Sequence, residues 1–394
     1  MTRNESSTTR HPIRRKLEAI VGLPLASGLA RLQLRRSKLE GPKQVFLPGC
    51  GIPLNYYERE AVTATVTATT TNKKHDRTTT MARSETVEDP PTVLLLHGLS
   101  GNVHELTGLV GWLKIGEGVR VLVPEHIGHG QDLKRAAAEG SGFRQPTPET
   151  LLRSTLEFLE VVRAGSNVNA FGSSLGGAIL YYLNVERPGA IRRSVLYAPA
   201  LPCVLADPFV DGLRDGTHQM VNFRDREDVK AAFRNLLWLD PETRRKKTSK
   251  RDPFPKLFYE VIYRIQRRDV PRGHYKALQE SLLLSVKPDD DNDDENDEND
   301  ENDNDNGNDA SMYTATTDLD PHGHRLVVWG EDDLVCDHDR GRRFFEKADR
   351  TTFETIPDCG HAVSADGTGP YEILAPMVRD FLLDFSSSSS SSSS

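Results

Sequence analysis

A chain of 394 residues, 37% hydrophobic and 27% charged, is long enough for one large domain with insertions, or for two domains at most. Its net charge of −8 misleads: residues 289–309 hold 13 acidic groups and no basic one, and without them the charge becomes +5, so no global basic field points to nucleic acid. The four cysteines (Cys50, Cys203, Cys336, Cys359) form no C-x-x-C pair, which argues against a disulfide scaffold or a zinc site, and no stretch reaches the ~18 consecutive apolar residues of a membrane span.

Residues 1–43 carry ten Lys/Arg against three Glu. Apolar positions from Ile13 to Leu32 suit an amphipathic helix interrupted by Gly22 and Pro24. Three readings stay open here: an organelle transit peptide, a basic helix making peripheral contact with an anionic membrane, or a helix packed on the domain. Cysteine usage fits a reducing, intracellular compartment, and no finer location follows.

The first part of the folded core is expected over residues 44–200. It opens with a hairpin signal, Val45-Phe46-Leu47, a Pro48-Gly49-Cys50-Gly51 turn, then Leu54 to Glu58. Residues 61–89, rich in Thr, Ala and charge, have no apolar face and read as a disordered insertion. Thr92-Val93-Leu94-Leu95-Leu96 is a short apolar run of the kind buried on both faces of a parallel sheet. A helix over 105–113, a strand over 119–123, a Gly-rich loop (Glu125-His126-Ile127-Gly128-His129-Gly130) and a helix over 148–163 follow. Next come a strand ending near Phe171, a helix over 178–186 and a strand over 194–198. This alternation predicts an α/β fold with a mostly parallel sheet flanked by helices.

After Pro199 the alternation stops. Residues 201–287 carry helical patterns at 229–239 and 254–266, which fit a helical lid over a site or a plain packed subdomain. The basic loop 244–251 has no aromatic interleaving and reads as solvated. Residues 288–310, nearly all Asp, Asn and Glu, cannot bury apolar area and read as disordered; Gly307 stands in no EF-hand frame. The core's second part is expected over 311–385, with strands at 325–329 and 352–356 and a helix from Tyr371. A poly-Ser tail at 386–394 ends the chain.

The chemistry converges on Gly172-Ser173-Ser174-Leu175-Gly176, a G-x-S-x-G turn between a strand and a helix. Such a turn holds the Ser174 hydroxyl out of the sheet and aims the Leu175 N–H at the space beside it. A serine needs a base to take its proton, and the base needs an orienting acid. Asp333 lies just past the 325–329 strand and His361 just past 352–356, at the sheet edge where open α/β folds place their sites. Asp332 and Asp337 are the alternatives for the acid. Cys359 reads as a small buried neighbour of His361, and nothing in the pattern calls for a metal or a cofactor.

In these motifs the chain resembles the α/β-hydrolase superfamily, and within it the branch of monoacylglycerol lipases and related esterases. The likeness rests on Leu95-Leu96-His97-Gly98-Leu99, Gly128-His129-Gly130, the elbow at Ser174, Trp329-Gly330-Glu331-Asp332-Asp333 and Cys359-Gly360-His361, with a looser match of 233–241 to that branch's lid. Glu125 departs from the aspartate common at its position. The resemblance implies an α/β-hydrolase fold with a lid inserted after strand 194–198, and a Ser174–His361–Asp333 triad. It also implies an oxyanion hole from the N–H groups of Leu99 and Leu175, a structural role for His97, and a small ester or lipid substrate. An acyltransferase, a perhydrolase and a carbon–carbon bond hydrolase would use the same triad, whereas a binding protein on this fold would be expected to have lost a member of it.

Overall fold

The structure is a computed structural model that describes residues 34–62, 90–99, 101–133, 146–165, 167–215, 223–236, 256–270, 274–284, 323–362 and 371–384. The expectations for residues 1–33, for most of the 61–89 insertion, for the basic loop, for the 288–310 run and for the serine tail lie outside these residues.

Among the described residues eight strands form one sheet: β1 (Glu40–Leu47), β2 (Ile52–Arg59), β3 (Thr92–Leu96), β4 (Arg120–Pro124), β5 (Val168–Ser173), β6 (Arg193–Tyr197), β7 (His324–Gly330) and β8 (Thr351–Ile356). Their order is β1-β2-β4-β3-β5-β6-β7-β8. The hairpin β1–β2 is antiparallel and joins β4 antiparallel, while every pairing from β4 to β8 is parallel. Parallel strands need covered faces, and β3 is buried at all five positions.

The helices among the described residues are α1 (Val103–Leu113), α2 (Pro148–Val161), α3 (Leu175–Glu186), α4 (Asp207–Arg214), α5 (Arg226–Leu236), α6 (Lys256–Asp269), α7 (Lys276–Leu284), α8 (His338–Phe345) and α9 (Tyr371–Leu382). Their starts are written locally. Asn102 caps α1 by accepting from the His104 N–H, and Thr147 caps α2 in a reciprocal box with Thr150 ahead of Pro148. Asp337 caps α8 through the Arg340 N–H. α1 packs on α9 and α2 on α3. None of these helices is long and apolar enough to cross a membrane.

One boundary moves. The basic segment was expected to run to residue 43, yet β1 starts at Glu40, Leu39 is buried and Leu34 packs on the core. The hairpin signal marked only the apolar residues. Lys43 joins the fold through charge, its ammonium 2.9 Å from the buried Glu58 carboxylate, which Arg120 also pairs at 2.6 Å.

The sheet order positions the site. From β3 the chain moves outward to β4, and from β5 it moves the opposite way to β6, so the loops leaving β3 and β5 diverge and open a crevice between them. The register lines up the strand ends there, with Leu96 opposite Gly172, Ser173 opposite Tyr197 and Gly330 opposite Ile356.

Candidate active site

Ser174 sits in the crevice at φ 51° and ψ −115°, a left-handed backbone at a non-glycine residue. The turn is tight enough that neighbouring positions admit no side chain. A Cβ on Gly172 would lie 2.3 Å from the Gly176 carbonyl oxygen, and one on Gly176 would lie 2.4 Å from that of Leu96. The Ser174 N–H donates to the Tyr197 carbonyl at 2.9 Å, and its own carbonyl accepts from Ala178 and Ala200. The strained residue is therefore held from β6 as well as from α3.

His361 stands 2.8 Å from the Ser174 hydroxyl through Nε2 and 2.8 Å from Asp333 Oδ2 through Nδ1. Both His361 and Asp333 are buried. The other Asp333 oxygen accepts the N–H groups of Val335 at 2.8 Å and Cys336 at 2.9 Å. These bonds pin the carboxylate so that Oδ2 faces the imidazole. Of the alternative acids, Asp337 is occupied as the α8 cap, and the His361 ring bonds to Asp333.

The loops carrying Asp333 and His361 are fastened to each other. Asp332 N–H donates to the Cys359 carbonyl and Glu331 N–H to that of Ile356. Gly330 permits this approach, since a Cβ there would meet the Cys359 and Gly360 carbonyl oxygens at 2.4 Å. The indole of Trp329, fully buried, donates to the Cys336 carbonyl at 3.0 Å and steadies the Asp333 loop from below.

Leu99 and Leu175 line the same cavity as Ser174, whose remaining walls include Leu205, Phe209, Leu213 and Leu278. Phe209 and Leu213 come from α4 and Leu278 from α7, so the helical stretch after β6 contributes to the cavity. The loop bearing Leu99 is braced from the Gly-rich loop after β4. His126 donates its Nε2–H to the His97 carbonyl at 2.9 Å, and the His126 N–H reaches His97 Nε2 at 3.2 Å. Burial holds both imidazoles neutral, pushing His126 down to about 3 and His97 well below its ordinary value.

Two residues that brace the loops around Ser174 escaped the reading of the sequence. One is His126. The other is Glu105, whose Oε1 accepts from Ser173 Oγ at 3.1 Å and from the Gly98 N–H at 3.4 Å, tying the loop after β3 to the elbow after β5. Glu105 is solvent-exposed, yet desolvation by the protein around its carboxyl raises its pKa, outweighing the hydrogen bonds from Ser173 and Gly98. In the first turn of α1 an acidic residue is already explained by the helix dipole, which hides any second role.

Among the described residues one group has the spacing of metal ligands: Asp333, Cys336 and His361, with donor atoms within 4.8 Å of one another. Two of these already bond each other. Burial, with Asp333 beside it, pushes the Cys336 thiol well up, so the donor set suits the hydrogen-bonded relay better than a cation. Burial also raises Cys359 to about 11, which keeps it a thiol and fits its reading as a passive neighbour.

A search of curated protein sequences gave no match. Among solved structures, a bacterial membrane phospholipase A described as a virulence factor superposes with a TM-score of 0.58 at 14% identity, covering 94% of this chain and 94% of that one. An esterase from Exiguobacterium antarcticum gives 0.54 at 13%, covering 87% and 99%. A meta-cleavage product hydrolase, CumD, gives 0.52 at 13%, covering 86% and 97%. At these identities the likeness establishes the fold. The family model described as alpha/beta hydrolase family matches residues 93–369, which span all the site residues above and most of the chain. The chain belongs to the alpha/beta hydrolase family, and is a hydrolase.

Proposed function

We propose that the protein is a serine hydrolase of carboxylic esters, acting on lipid-derived monoesters such as monoacylglycerols. The observation that carries this reading is the unbroken hydrogen-bond chain from Ser174 through His361 to Asp333. In this scheme Ser174 Oγ attacks the ester carbonyl while His361 Nε2 takes its proton. The carbonyl C–O double bond opens to an oxyanion that accepts the N–H groups of Leu99 and Leu175. Asp333 holds the Nδ1–H and stabilises the imidazolium. His361 then returns the proton to the leaving alcohol oxygen, which departs as the carbonyl re-forms on the acyl-enzyme. A water attacks that carbonyl in turn, giving its proton to His361; the bond from the acyl carbon to Ser174 Oγ then breaks, His361 returns the proton to that oxygen, and the carboxylic acid leaves. Each oxyanion donor is worth roughly 10²–10³ in rate in comparable sites.

The lipid part of the reading is supported by the cavity. Its described walls are aliphatic and aromatic, Tyr275 and Gln279 supply polar groups beside Ser174, and no Lys, Arg, Asp or Glu is among the described lining residues. Such a wall favours a neutral hydrocarbon chain. An esterase and a phospholipase A share the fold, in line with an ester substrate.

The test is labelling by a fluorophosphonate together with turnover of p-nitrophenyl esters and monoacylglycerols by the parent and Ser174→Ala. Labelling and turnover are expected in the parent and lost in the variant. Turnover by Ser174→Ala at the parental rate sinks the nucleophile assignment, and a sharp preference for short, water-soluble esters sinks the lipid reading. Product analysis with added alcohol or peroxide separates hydrolysis from acyl transfer and perhydrolysis.

A further inference from the structure

A second apolar pocket, partly open to solvent, lies beside the one that opens on Ser174. Its walls include Leu152 of α2, Ile179 and Tyr182 of α3, Ser281 of α7, and Pro202 of the loop after β6. Ser174 is not among its lining residues, whereas Leu175, Ala200 and Leu278 line both cavities. Those three residues are the partition. Leu175 begins α3 next to the nucleophile, and the Ala200 N–H donates to the Ser174 carbonyl at 3.1 Å, so both are fixed by the elbow itself. Leu278 comes instead from α7, in the helical stretch after β6, and fills its place with a buried side chain. Ser281 lies three residues on along the same helix and faces only the second cavity.

We infer that the second cavity is a chamber for the far end of long acyl chains, entered past Leu278, whose side chain sets how readily such chains are accepted. This rests on the ester-hydrolase reading. The cavity next to Ser174 takes the carbons nearest the carbonyl, and a longer chain turns the Leu278 side chain aside to continue into the chamber. Among the described residues the chamber has no charged lining residue, which suits a hydrocarbon occupant rather than a headgroup. Burial of each further methylene is worth up to roughly fourfold in kcat/KM while room remains.

The experiment is kcat/KM along a series of p-nitrophenyl esters from acetate to palmitate, for the parent, Leu278→Ala and Ser281→Phe, with thermal unfolding to verify folding. Leu278→Ala is expected to raise the palmitate-to-butyrate ratio severalfold. Ser281→Phe, which fills the chamber from its edge, is expected to lower that ratio at least fivefold with butyrate turnover near parental. The inference is overturned if Ser281→Phe, folded and active on butyrate, keeps the parental ratio. That variant alone decides should Leu278→Ala not fold. If Leu278→Ala does fold, an unchanged ratio there overturns Leu278 as the partition. A parent that hydrolyses no ester of the series refutes the ester-hydrolase reading, and the chamber's role with it, a result distinct from an active parent with unchanged ratios.

Discussion

His126 and His97 grip each other reciprocally, side chain to carbonyl at 2.9 Å and N–H to ring nitrogen at 3.2 Å. The pair holds the backbone that leads into Leu99, one of the two proposed oxyanion donors. Both rings are buried and uncharged, and this gives the pair an acid liability. Above pH 6.5 His126 is neutral whether the chain is folded or not. Between pH 6.5 and about 3 the unfolded chain takes up a proton that the folded site refuses, so stability is lost as pH falls, by about 1.4 kcal/mol per pH unit for this group. His126→Gln keeps a donor for the His97 carbonyl and removes the titration. Urea unfolding of this variant between pH 7 and pH 5 is expected to show a shallower acid decline than the parent. Parallel declines would count against a neutral buried His126.

Glu105 fastens the loop after β3 to the elbow after β5, through Gly98 and Ser173. If that fastening aligns the oxyanion donors with Ser174, losing it affects the transition state more than substrate binding. Glu105→Ala is expected to lower kcat by roughly 10- to 100-fold with KM nearly unchanged, the range set by small misplacements of a reacting group. Glu105→Gln retains an acceptor and should recover most of the rate. A carboxylate serving only the dipole of α1 predicts something else: a stability loss of about 0.3–1 kcal/mol in both variants and no kcat effect in either.

Asp333 gives one oxygen to two backbone N–H groups and the other to His361. In Asp333→Asn the amide oxygen must face the Val335 and Cys336 donors, which turns the NH₂ toward Nδ1. His361 then holds its proton on Nε2, where it cannot serve as a base for Ser174. A drop in kcat of roughly 10³- to 10⁴-fold is expected, with the fold intact by circular dichroism. A variant retaining more than a tenth of the parental kcat would show that another carboxylate orients the base.

Much of this site was legible because each of its parts follows an apolar strand. Ser174, Asp333 and His361 all lie just beyond such a run, and a glycine turn marks each position. The sequence favoured Asp333 by its place past the turn glycine but left Asp332 and Asp337 open. Three carboxylates within six residues differ only in which backbone N–H groups and rings surround them, and Trp329 and the cap of α8 decide that. Glu105 and His126 were hidden for a related reason. Their partners are 68 and 29 residues away, and polar side chains in a first helical turn or a Gly-rich loop have ordinary local explanations. The apolar periodicity of α5 and α6 was readable, but not which residues after β6 wall the cavity, because amphipathicity fixes a face and not its neighbour.

The backbone of Ser174 offers a test that needs no substrate. At φ 51° and ψ −115° the residue lies outside the ordinary basins for an L side chain, and such a conformation costs on the order of 1–3 kcal/mol. Glycine adopts it freely, at the expense of about 0.5–1 kcal/mol from greater freedom in the unfolded chain. Ser174→Gly should therefore be more stable than Ser174→Ala, which keeps the strain, by roughly 1 kcal/mol after that offset. Both variants lose the hydroxyl and its bond to His361, so comparing them isolates the backbone. Chemical denaturation of the two, side by side, measures the difference. Equal midpoints, or a less stable glycine variant, would mean that the elbow imposes no strain on Ser174.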